Sequence, residues 1–284
     1  MAKAFSVASW NVEHFKSQGV SSRVNDVVEF LAEQRPDVFA LYEVEGREVF
    51  EALTTLMPEY TFHITEGQQV QQILLGIRTR IRAFFTQKTE FRSGVSLLRP
   101  GALLTVTIDD VNYTLLFLHT KSGTDPRGLR LRDDMLERAL DFAATLQRRV
   151  TDGPVNYIFL GDFNIMGMQY RYVRERDIVA TQEVRKLEQG AKRRKMKVLD
   201  KDEPHTWWGG GKLAPSNLDF VVARDHIPFK KFGRVRGVRP RLAQDRQAGE
   251  AAPVGSRYVR PRAALLRGAA AAAVGTIRSW KPRF

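Results

Sequence analysis

The feature that most constrains the fold is a series of short apolar runs separated by polar or Gly/Pro-containing turns. Each run is too short for a helix, and such runs, when rich in β-branched and aromatic residues, are typical of buried strands. Five consecutive runs fall between residues 60 and 118 without a helical pattern between them. We predict strands over residues 5–10, 37–42, 60–64, 72–77, 81–85, 102–108, 113–118, 155–160 and 218–223.

Helical spacing of apolar residues occurs in four segments outside this central stretch. We predict helices over residues 24–35, 47–56, 129–149 and 178–187, the first of which stops at Arg35-Pro36. A doubly wound sheet requires strict alternation of strands and helices, and the five consecutive strands break that alternation. The pattern therefore favours an α/β fold in which two sheets pack together with the helices outside them.

Composition places the chain among globular proteins and excludes cysteine chemistry. Its 284 residues are 43% hydrophobic and 27% charged, and none is Cys. Disulfides, thiolate metal sites and a Cys nucleophile are thereby excluded. The first ten residues reach a polar Ser-Trp-Asn without the apolar core of a signal peptide, and no run of about 18 apolar residues predicts a transmembrane segment. We expect a cytoplasmic monomer.

The formal net charge of +13 is concentrated near the C-terminus. Residues 1–226 carry 31 Lys and Arg against 30 Asp and Glu, whereas residues 227–284 carry 14 against 2. The body therefore gives no overall electrostatic signal for nucleic acid. Within it, the basic cluster 192–197 is either a solvated helix end or a phosphate contact. We divide the chain into a catalytic domain, residues 1–236, and a basic Ala/Arg/Gly-rich tail, residues 237–284.

Several predicted strands end in polar groups that bind divalent metals or phosphate. A single Asn or acid at a strand end is usually a turn residue, a helix cap or an ion-pair partner. Together, however, hard oxygen ligands without clustered His or Cys suit Mg²⁺ or Mn²⁺. The groups are Asn11, Glu43, His119 with Lys121, Asp162 with Asn164, and Asn217 with Asp219.

Five short segments around these residues occur in a specific order. They are Ser9-Trp10-Asn11, Leu41-Tyr42-Glu43, Leu118-His119-Thr120-Lys121-Ser122, Gly161-Asp162-Phe163-Asn164 and Asn217-Leu218-Asp219-Phe220. In this order they resemble the motifs of the endonuclease/exonuclease/phosphatase superfamily, the deoxyribonuclease-I-like fold, in a bacterial-type member. The resemblance spans residues 4–223 and implies a four-layer α/β sandwich with two central mixed β-sheets and an active site at one rim.

The resemblance also implies a role for each matched residue. Glu43 is the expected principal Mg²⁺ or Mn²⁺ ligand, and Asn11 beside it holds the metal or its water. His119 is expected to hydrogen-bond the scissile phosphate and stabilise charge in the transition state. Asp162 is expected to orient or deprotonate the attacking water, while Asn164 donates to a phosphate oxygen.

The remaining matched residues concern the distal side of the site. Lys121, Ser122 and Asn217 are expected phosphate contacts. Asp219 resembles a carboxylate that orients a distal histidine, which the family carries in a Ser-Asp-His element before a last strand. This sequence lacks that element, and His226 lies only seven residues beyond Asp219, too close for the intervening strand. We therefore expect an enzyme impaired as written.

The tail offers an explanation for the missing element. Its composition is typical of GC-rich DNA read out of frame. Shifting the frame by one base across residues 259–267 permits Ser-Asp-His-Ala-Leu-Leu-Tyr-Phe-Glu, which is the absent ending together with an apolar strand. We hypothesise that the tail is a frameshifted replacement of the last strand.

The resemblance predicts a Mg²⁺-dependent phosphoesterase acting by in-line attack of water, and leaves the substrate open. A nuclease, which we favour slightly, would use residues 192–197, Arg171 and Arg174 as phosphate contacts and Trp207-Trp208 for stacking. A lipid or inositol phosphodiesterase would use the same Trp pair as an apolar loop. The alternative from another class is a catalytically impaired member that binds a phosphorylated partner.

Overall fold

The computed structural model describes residues 5–16, 22–69, 71–151, 153–201, 205–207, 215–230 and 275–277. These residues form two six-stranded sheets and four α-helices. The strands of the first sheet are β1 (Phe5–Lys16), β2 (Val38–Glu45), β3 (Tyr60–Ile64), β4 (Gln71–Arg78), β11 (Phe229–Lys230) and β12 (Gly275–Ile277). Those of the second are β5 (Arg82–Lys88), β6 (Gly101–Ile108), β7 (Val111–His119), β8 (Asn156–Asp162), β9 (Met196–Val198) and β10 (Asp219–Arg224).

The helices cover the outer faces of the two sheets and make a four-layer sandwich. They are α1 (Ser22–Gln34), α2 (Arg47–Leu56), α3 (Pro126–Gln147) and α4 (Ala180–Arg193). α1 and α2 pack on the first sheet, and α3 and α4 pack on the second. A third apolar layer lies between the sheets. The predicted fold class, a four-layer α/β sandwich with two central β-sheets, is confirmed.

Both sheets are mixed, which determines where the functional side chains meet. The first has the strand order β11-β12-β1-β2-β4-β3, and the second has the order β5-β6-β7-β8-β10-β9. β1 pairs in parallel with β2, and β7 pairs in parallel with β8, while the other pairs are antiparallel. Because these central strands are buried on both faces, they read as continuous apolar runs in the sequence.

The predicted elements agree with the structure except near their ends. β3 and α2 begin and end at the predicted residues, whereas α4 continues six residues past its predicted end at residue 187. The apolar periodicity ends at residue 187, but the helix continues into Lys192 and Arg193, and Lys and Arg are good helix formers. The sequence analysis missed β9 because its three residues lie within a basic run, and it also missed β11 and β12.

β1 and β2 continue past their predicted ends through a bulge. Asn11 pairs with Tyr42 and Phe15 pairs with Val44, so three residues of β1 face Glu43 alone. The register between β2 and β4 shifts over the same stretch. A bulge bends a strand and re-aims its side chains. Glu43 is therefore not the residue that ends β2 but a bulged residue inside it.

Three residues of the tail belong to the first sheet. β12 pairs antiparallel with Phe5, Ser6 and Val7 of β1 and also with β11. Most of the predicted tail, residues 237–274 and 278–284, lies outside the described residues, as does the shifted segment 259–267. The boundary between domain and tail at residue 236 also falls outside them and stays a prediction.

Candidate active site

The polar ends of the two central strand pairs meet at one rim of the sandwich. Asn11 Nδ2 donates to Glu43 Oε1 at 3.0 Å and to Asp162 Oδ2 at 2.8 Å, and so links the two sheets. His119 Nε2 lies 3.7 Å from Glu43 Oε1 and 3.6 Å from Asp162 Oδ2. Asp219 is the cross-strand neighbour of Asp162. Asn11, Glu43, His119, Asp162 and Asp219, predicted from separate motifs, thus form one cluster.

The glycine before Asp162 is required by its positive φ and by close contacts both within its own sheet and with the other sheet. Gly161 has φ = 142°, and a Cβ there would lie 2.1 Å from the carbonyl oxygen of Leu118 and 2.6 Å from the hydroxyl of Tyr42. Neither contact is possible for a larger residue without movement of the backbone. Tyr42 Oη in turn lies 3.0 Å from Ser9 Oγ. The Gly-Asp pair therefore allows β8 to pack tightly enough for Asp162 to reach Asn11.

Backbone geometry and a ring of donors hold Glu43. Its φ is 61°, a left-handed conformation that is uncommon for a residue with a side chain. Glu43 Oε2 accepts the backbone N–H of His14 at 3.0 Å and Nε2 of Gln71 at 3.1 Å. Its other oxygen accepts Asn11. Strained backbone that the surrounding structure determines is concentrated at functional sites in proteins.

Asn164 is held in the turn that follows β8. Its backbone N–H donates to Asp162 Oδ1 at 2.9 Å, and its Nδ2 donates to the carbonyl oxygen of Thr120 at 3.1 Å. Its φ is 46°, which Asn tolerates better than most residues. The two oxygens of Asp162 thus accept from Asn11 and from the N–H of Asn164. The bond from Asn164 to Thr120 ties the loops after β7 and β8 together.

Burial and crowding of like charges disturb the titration of these groups. Burial and the nearby Glu43 carboxylate raise the pKa of Asp162 to about 6. The hydrogen bonds that Asn11 and Asn164 donate act in the opposite direction. Burial and the negative charge of Asp162 raise the pKa of Asp219 well above its usual value. Burial, with the positive charge of Arg99, lowers the pKa of His119 well below the usual value.

Asp219 lies at the start of β10 beside a lysine that the motifs did not single out. Lys201 Nζ contacts Oδ1 of Asn217 and the carbonyl oxygen of Asp219. Burial lowers the pKa of Lys201 to about 8. Within the described part of the chain, Oδ1 of Asp219 is buried without a hydrogen-bond partner. The side-chain oxygen of Asn217, an expected phosphate contact, accepts from Lys201.

His226 lies at the opposite end of the sandwich from Asp219. Its Nε2 is 3.0 Å from Oδ1 of Asn156, the first residue of β8. Asp162 is six residues further along the same strand, about 20 Å away at the usual rise of a strand. His226 therefore cannot partner Asp219 in this structure.

Two further residues, Arg99 and Gln71, are linked to Glu43 at the rim, and the sequence analysis did not single them out. Arg99 Nη2 contacts Oε1 of Gln71, whose Nε2 donates to Glu43. The Glu43 and Asp162 carboxylates favour the charged form of Arg99, although burial lowers its pKa. An Arg before a Pro-Gly turn carries no sequence signal of function. Only the packing of the loop before β6 brings it to the rim.

Of the remaining predicted substrate contacts, some lie near the catalytic cluster and others lie far from it. Lys121 and Ser122 lie in the loop that joins β7 to α3, next to His119. The basic cluster 192–197 lies far from the site, because β9 pairs with Val222, Ala223 and Arg224 at the end of β10 away from Asp219. Part of it is structural: Arg194 pairs with Glu137 and Asp141. Trp208 lies outside the described residues.

The donor set of the rim suits a hard divalent cation. Glu43, Asp162 and Asp219 bring three carboxyl groups to the rim, and Oδ1 of Asp219 has no hydrogen-bond partner among the described residues. Oδ1 of Asn11 accepts the N–H of Glu13, so in this rotamer Asn11 orients Glu43 and turns its nitrogen to the site. Among the described residues no group of three His, Cys, Asp or Glu has metal-ligand geometry.

The fold and the carboxylate, amide and imidazole groups at its rim define a class of α/β-sandwich hydrolases. Residues 8–241 match the model of the Endonuclease/Exonuclease/phosphatase family, and the chain belongs to this family. Membership supports phosphoesterase activity, since endonucleases, exonucleases and phosphatases all cleave phosphate esters. No curated protein matches the sequence. None of the described helices is long and apolar enough to cross a membrane.

Solved structures of similar fold share little sequence with the chain. Truncated TDP2 from Caenorhabditis elegans is 16% identical, with a TM-score of 0.56 over 79% of this chain and 86% of its own. TDP2 from D. rerio, complexed with single-strand DNA product, is 16% identical, with a TM-score of 0.54 over 80% and 90%. A mannosyl-6-phosphatase from Bacteroides thetaiotaomicron is 12% identical, with a TM-score of 0.51 over 80% and 87%. At these identities the likeness concerns the fold.

Proposed function

We propose that this protein is a Mg²⁺- or Mn²⁺-dependent phosphoesterase in which an activated water attacks phosphorus in line. The observation that carries the proposal is the cluster in which Asn11 bridges Glu43 and Asp162 while His119 faces both acids. These groups come from two sheets and meet at the rim of the sandwich.

The residues of the cluster divide the work of hydrolysis. Asp162, fixed by Asn11 and by the N–H of Asn164, takes the proton of the attacking water as the new P–O bond forms and the ester P–O bond breaks. His119 Nε2 and Asn164 Nδ2 donate to the phosphoryl oxygens, whose charge grows in the transition state. Lys121 and Ser122, on the loop beside His119, contact the rest of the phosphate group.

Glu43 is the residue that would hold the metal, with Asn11 and Gln71 orienting its carboxylate. When bound there, a divalent ion neutralises charge on the phosphoryl and leaving oxygens. Arg99, which interacts with the charges of Glu43 and Asp162, balances part of their negative charge from the side of Gln71.

Among possible substrates we favour a nucleic-acid phosphodiester. One structure of similar fold holds single-strand DNA product, and Arg171 and Arg174 lie exposed on the loop that follows Asn164. The distant position of the basic cluster 192–197 removes it from the contacts expected of a nuclease. A lipid or inositol phosphodiesterase would use Trp207-Trp208 as an apolar loop, and the structure describes only Trp207 of this pair.

The second candidate is a catalytically impaired member that binds a phosphorylated partner. It is favoured by one observation: Oδ1 of Asp219 is buried without a hydrogen-bond partner in the described residues, where the family's histidine would be oriented. The contacts of Asn11, Glu43 and Asp162 argue against it, because binding alone does not need an oriented base.

A panel assay tests the proposal. The full chain is incubated with Mg²⁺, Mn²⁺ or EDTA and with a generic phosphodiester, a phosphomonoester, DNA, RNA and phospholipid. We expect metal-dependent turnover that falls about 10² to 10⁴-fold in Asp162→Asn. The Asn side chain keeps the shape of Asp162 and can still accept from Asn11. Equal turnover by Asp162→Asn, or none from the wild type on every substrate, would contradict the proposal.

A further inference from the structure

The loop that follows the catalytic turn exposes an unusual amount of apolar and aromatic surface. In the described residues, nine large hydrophobic side chains are exposed, and five of them lie between residues 166 and 179. Tyr172 is 84% exposed and Tyr170 is 37% exposed. The other three are Met166, Val173 and Val179. Exposed apolar side chains concentrated in one segment mark interaction sites more often than scattered single residues do.

The same loop carries three arginines that are free to meet an anion. Arg171, Arg174 and Arg176 are exposed, and none of them makes an ion pair within the part of the chain that the structure describes. The guanidinium carbon of Arg171 lies 5.3 Å from the centre of the Tyr172 ring. One of the two acids in the loop, Asp177, is occupied, since its Oδ1 accepts the N–H of Tyr170 at 2.7 Å.

The base of the loop is fixed beside the catalytic residues. Met168 and Ile178 exchange backbone hydrogen bonds and close the loop, and the N–H of Gln169 donates to the carbonyl oxygen of Thr124 at 2.7 Å. Thr124 belongs to the loop that follows His119. Tyr172 is three residues beyond Gln169, so its backbone lies within about 11 Å of that point.

We propose that residues 166–179 form a docking surface for single-stranded nucleic acid next to the active site. This inference rests on the proposed function and assigns its substrate class. Exposed aromatic rings interleaved with arginines match the way single strands bind, with bases stacked on rings and phosphates paired with cations. A double-stranded ligand offers no free base faces to Tyr170 and Tyr172, and a small phosphomonoester would not span the loop.

Binding is measured on the full chain carrying Asp162→Asn, by fluorescence anisotropy of a short labelled oligothymidylate. We expect Tyr172→Ala to weaken binding about tenfold or more, and Tyr172→Phe to leave it unchanged, because stacking needs the ring and not the hydroxyl. Arg171→Ala should weaken binding and reduce the slope of log Kd against log salt by about 0.7.

Matched controls lie away from the loop. Phe84 is 71% exposed on the edge strand β5, and Arg149 is exposed just beyond α3, whose 22 residues carry the chain about 33 Å from the rim. Phe84→Ala and Arg149→Ala should bind like the parent protein. Loop variants that bind as tightly as these controls, or a parent protein that binds anionic vesicles but no oligonucleotide, would overturn the inference.

A second measurement separates this inference from the proposed function. Each substitution is also placed in the otherwise wild-type chain, and turnover of bis(4-nitrophenyl) phosphate, which has no nucleotide chain to lie along the loop, is measured. We expect Tyr172→Ala to hydrolyse it at the wild-type rate. Hydrolysis without oligonucleotide binding refutes the docking surface alone. Binding that depends on Tyr172 without hydrolysis of any ester supports the surface and refutes the phosphoesterase.

Discussion

At the residue scale, Glu43 is the carboxylate on which metal binding should depend. The Glu43→Gln variant keeps the size of the side chain and its hydrogen-bonding capacity toward the N–H of His14, so the fold should persist. It removes the charge that a divalent ion needs, and we expect metal-dependent turnover to fall about 10² to 10⁴-fold. Calorimetric titration with Mn²⁺ should show the accompanying loss of affinity.

The control for this prediction is a carboxylate outside the site. Glu51 is exposed on α2 and, among the described residues, forms an ion pair only with Arg47, one turn away. Glu51→Gln should therefore bind Mn²⁺ and turn over substrate like the wild type. If Glu43→Gln behaves in the same way as Glu51→Gln, the metal is held elsewhere.

A buried arginine connects the two catalytic loops. Arg132 is fully buried, with Nε on Glu183 Oε1 at 2.9 Å and Nη2 on Glu183 Oε2 at 3.0 Å. Its remaining N–H groups donate to the carbonyl oxygens of Gly123 at 2.6 Å, Gly167 at 2.8 Å and Lys121 at 3.3 Å. Gly123 and Lys121 follow His119, and Gly167 follows Asn164, so one guanidinium fixes both loops.

We predict that Arg132→Met lowers the free energy of unfolding by about 3 to 5 kcal/mol, because it leaves Glu183 buried without its partner. The double variant Arg132→Met/Glu183→Met should recover part of this stability but little turnover, since the carbonyls of Gly123 and Gly167 lose their common donor. Denaturant unfolding and turnover are measured together. Arg138→Met, which breaks only the exposed pair with Asp134 on the same helix, should cost less than about 1 kcal/mol.

At the element scale, the start of α3 at the rim depends on one cap. Asp125 accepts the backbone N–H groups of Arg127 and Gly128, and Pro126 occupies the first helical position. The N–H of Gly128, followed by that of Arg127, lowers the pKa of the Asp125 carboxyl. Replacement of such a cap by Ala typically costs about 1 kcal/mol. Asp125→Ala should destabilise the protein by about that amount at neutral pH.

The acid dependence of this cap has a definite sign. Because the folded pKa is depressed, the charge of Asp125 stabilises the fold above the unfolded pKa of about 3.9 and ceases to do so as the pH falls through the folded value. Asp125→Asn keeps the capping oxygen without a charge. It should be slightly less stable than the wild type at pH 7, where the charge contributes, and lose less stability on acidification, as measured by urea unfolding from pH 7 to about pH 3. Parallel pH curves for the two proteins would contradict this prediction.

At the scale of the whole molecule, the first sheet joins a segment of the tail to β1. β12 pairs antiparallel with Phe5, Ser6 and Val7, and β1 carries Asn11 further along, toward the rim. An additional apolar strand in this sheet would bury more surface.

We predict that replacing residues 259–267 with Ser-Asp-His-Ala-Leu-Leu-Tyr-Phe-Glu raises both the melting temperature and metal-dependent turnover. An imidazole oriented by Asp219 should contribute about 10² to 10⁴ in rate. A second version of the replacement, with Pro261→Ala instead of Pro261→His, should keep the gain in melting temperature without the gain in turnover. If neither version is more active than the present chain, another group already takes the role of the imidazole that Asp219 is expected to orient.

The sequence determined the layout of the chain and the identity of most polar groups at its rim. Short apolar runs identified nine strands because both faces of the central strands are buried, and periodicity identified the four helices. The motifs around Asn11, Glu43, His119 and Asp162 were visible because each follows a buried strand.

Only the tertiary structure decided which of these groups touch. Asn11 and Asp162 are 151 residues apart and share a hydrogen bond because two sheets pack face to face, which no local pattern encodes. The bulge that aims Glu43 depends on the register with β1 and β4, and the position of Arg99 depends on a loop. Long-range pairing also took His226 and the basic cluster 192–197 to the opposite end from Asp219. Side-chain chemistry is local in a sequence, whereas a site depends on distances that packing alone sets.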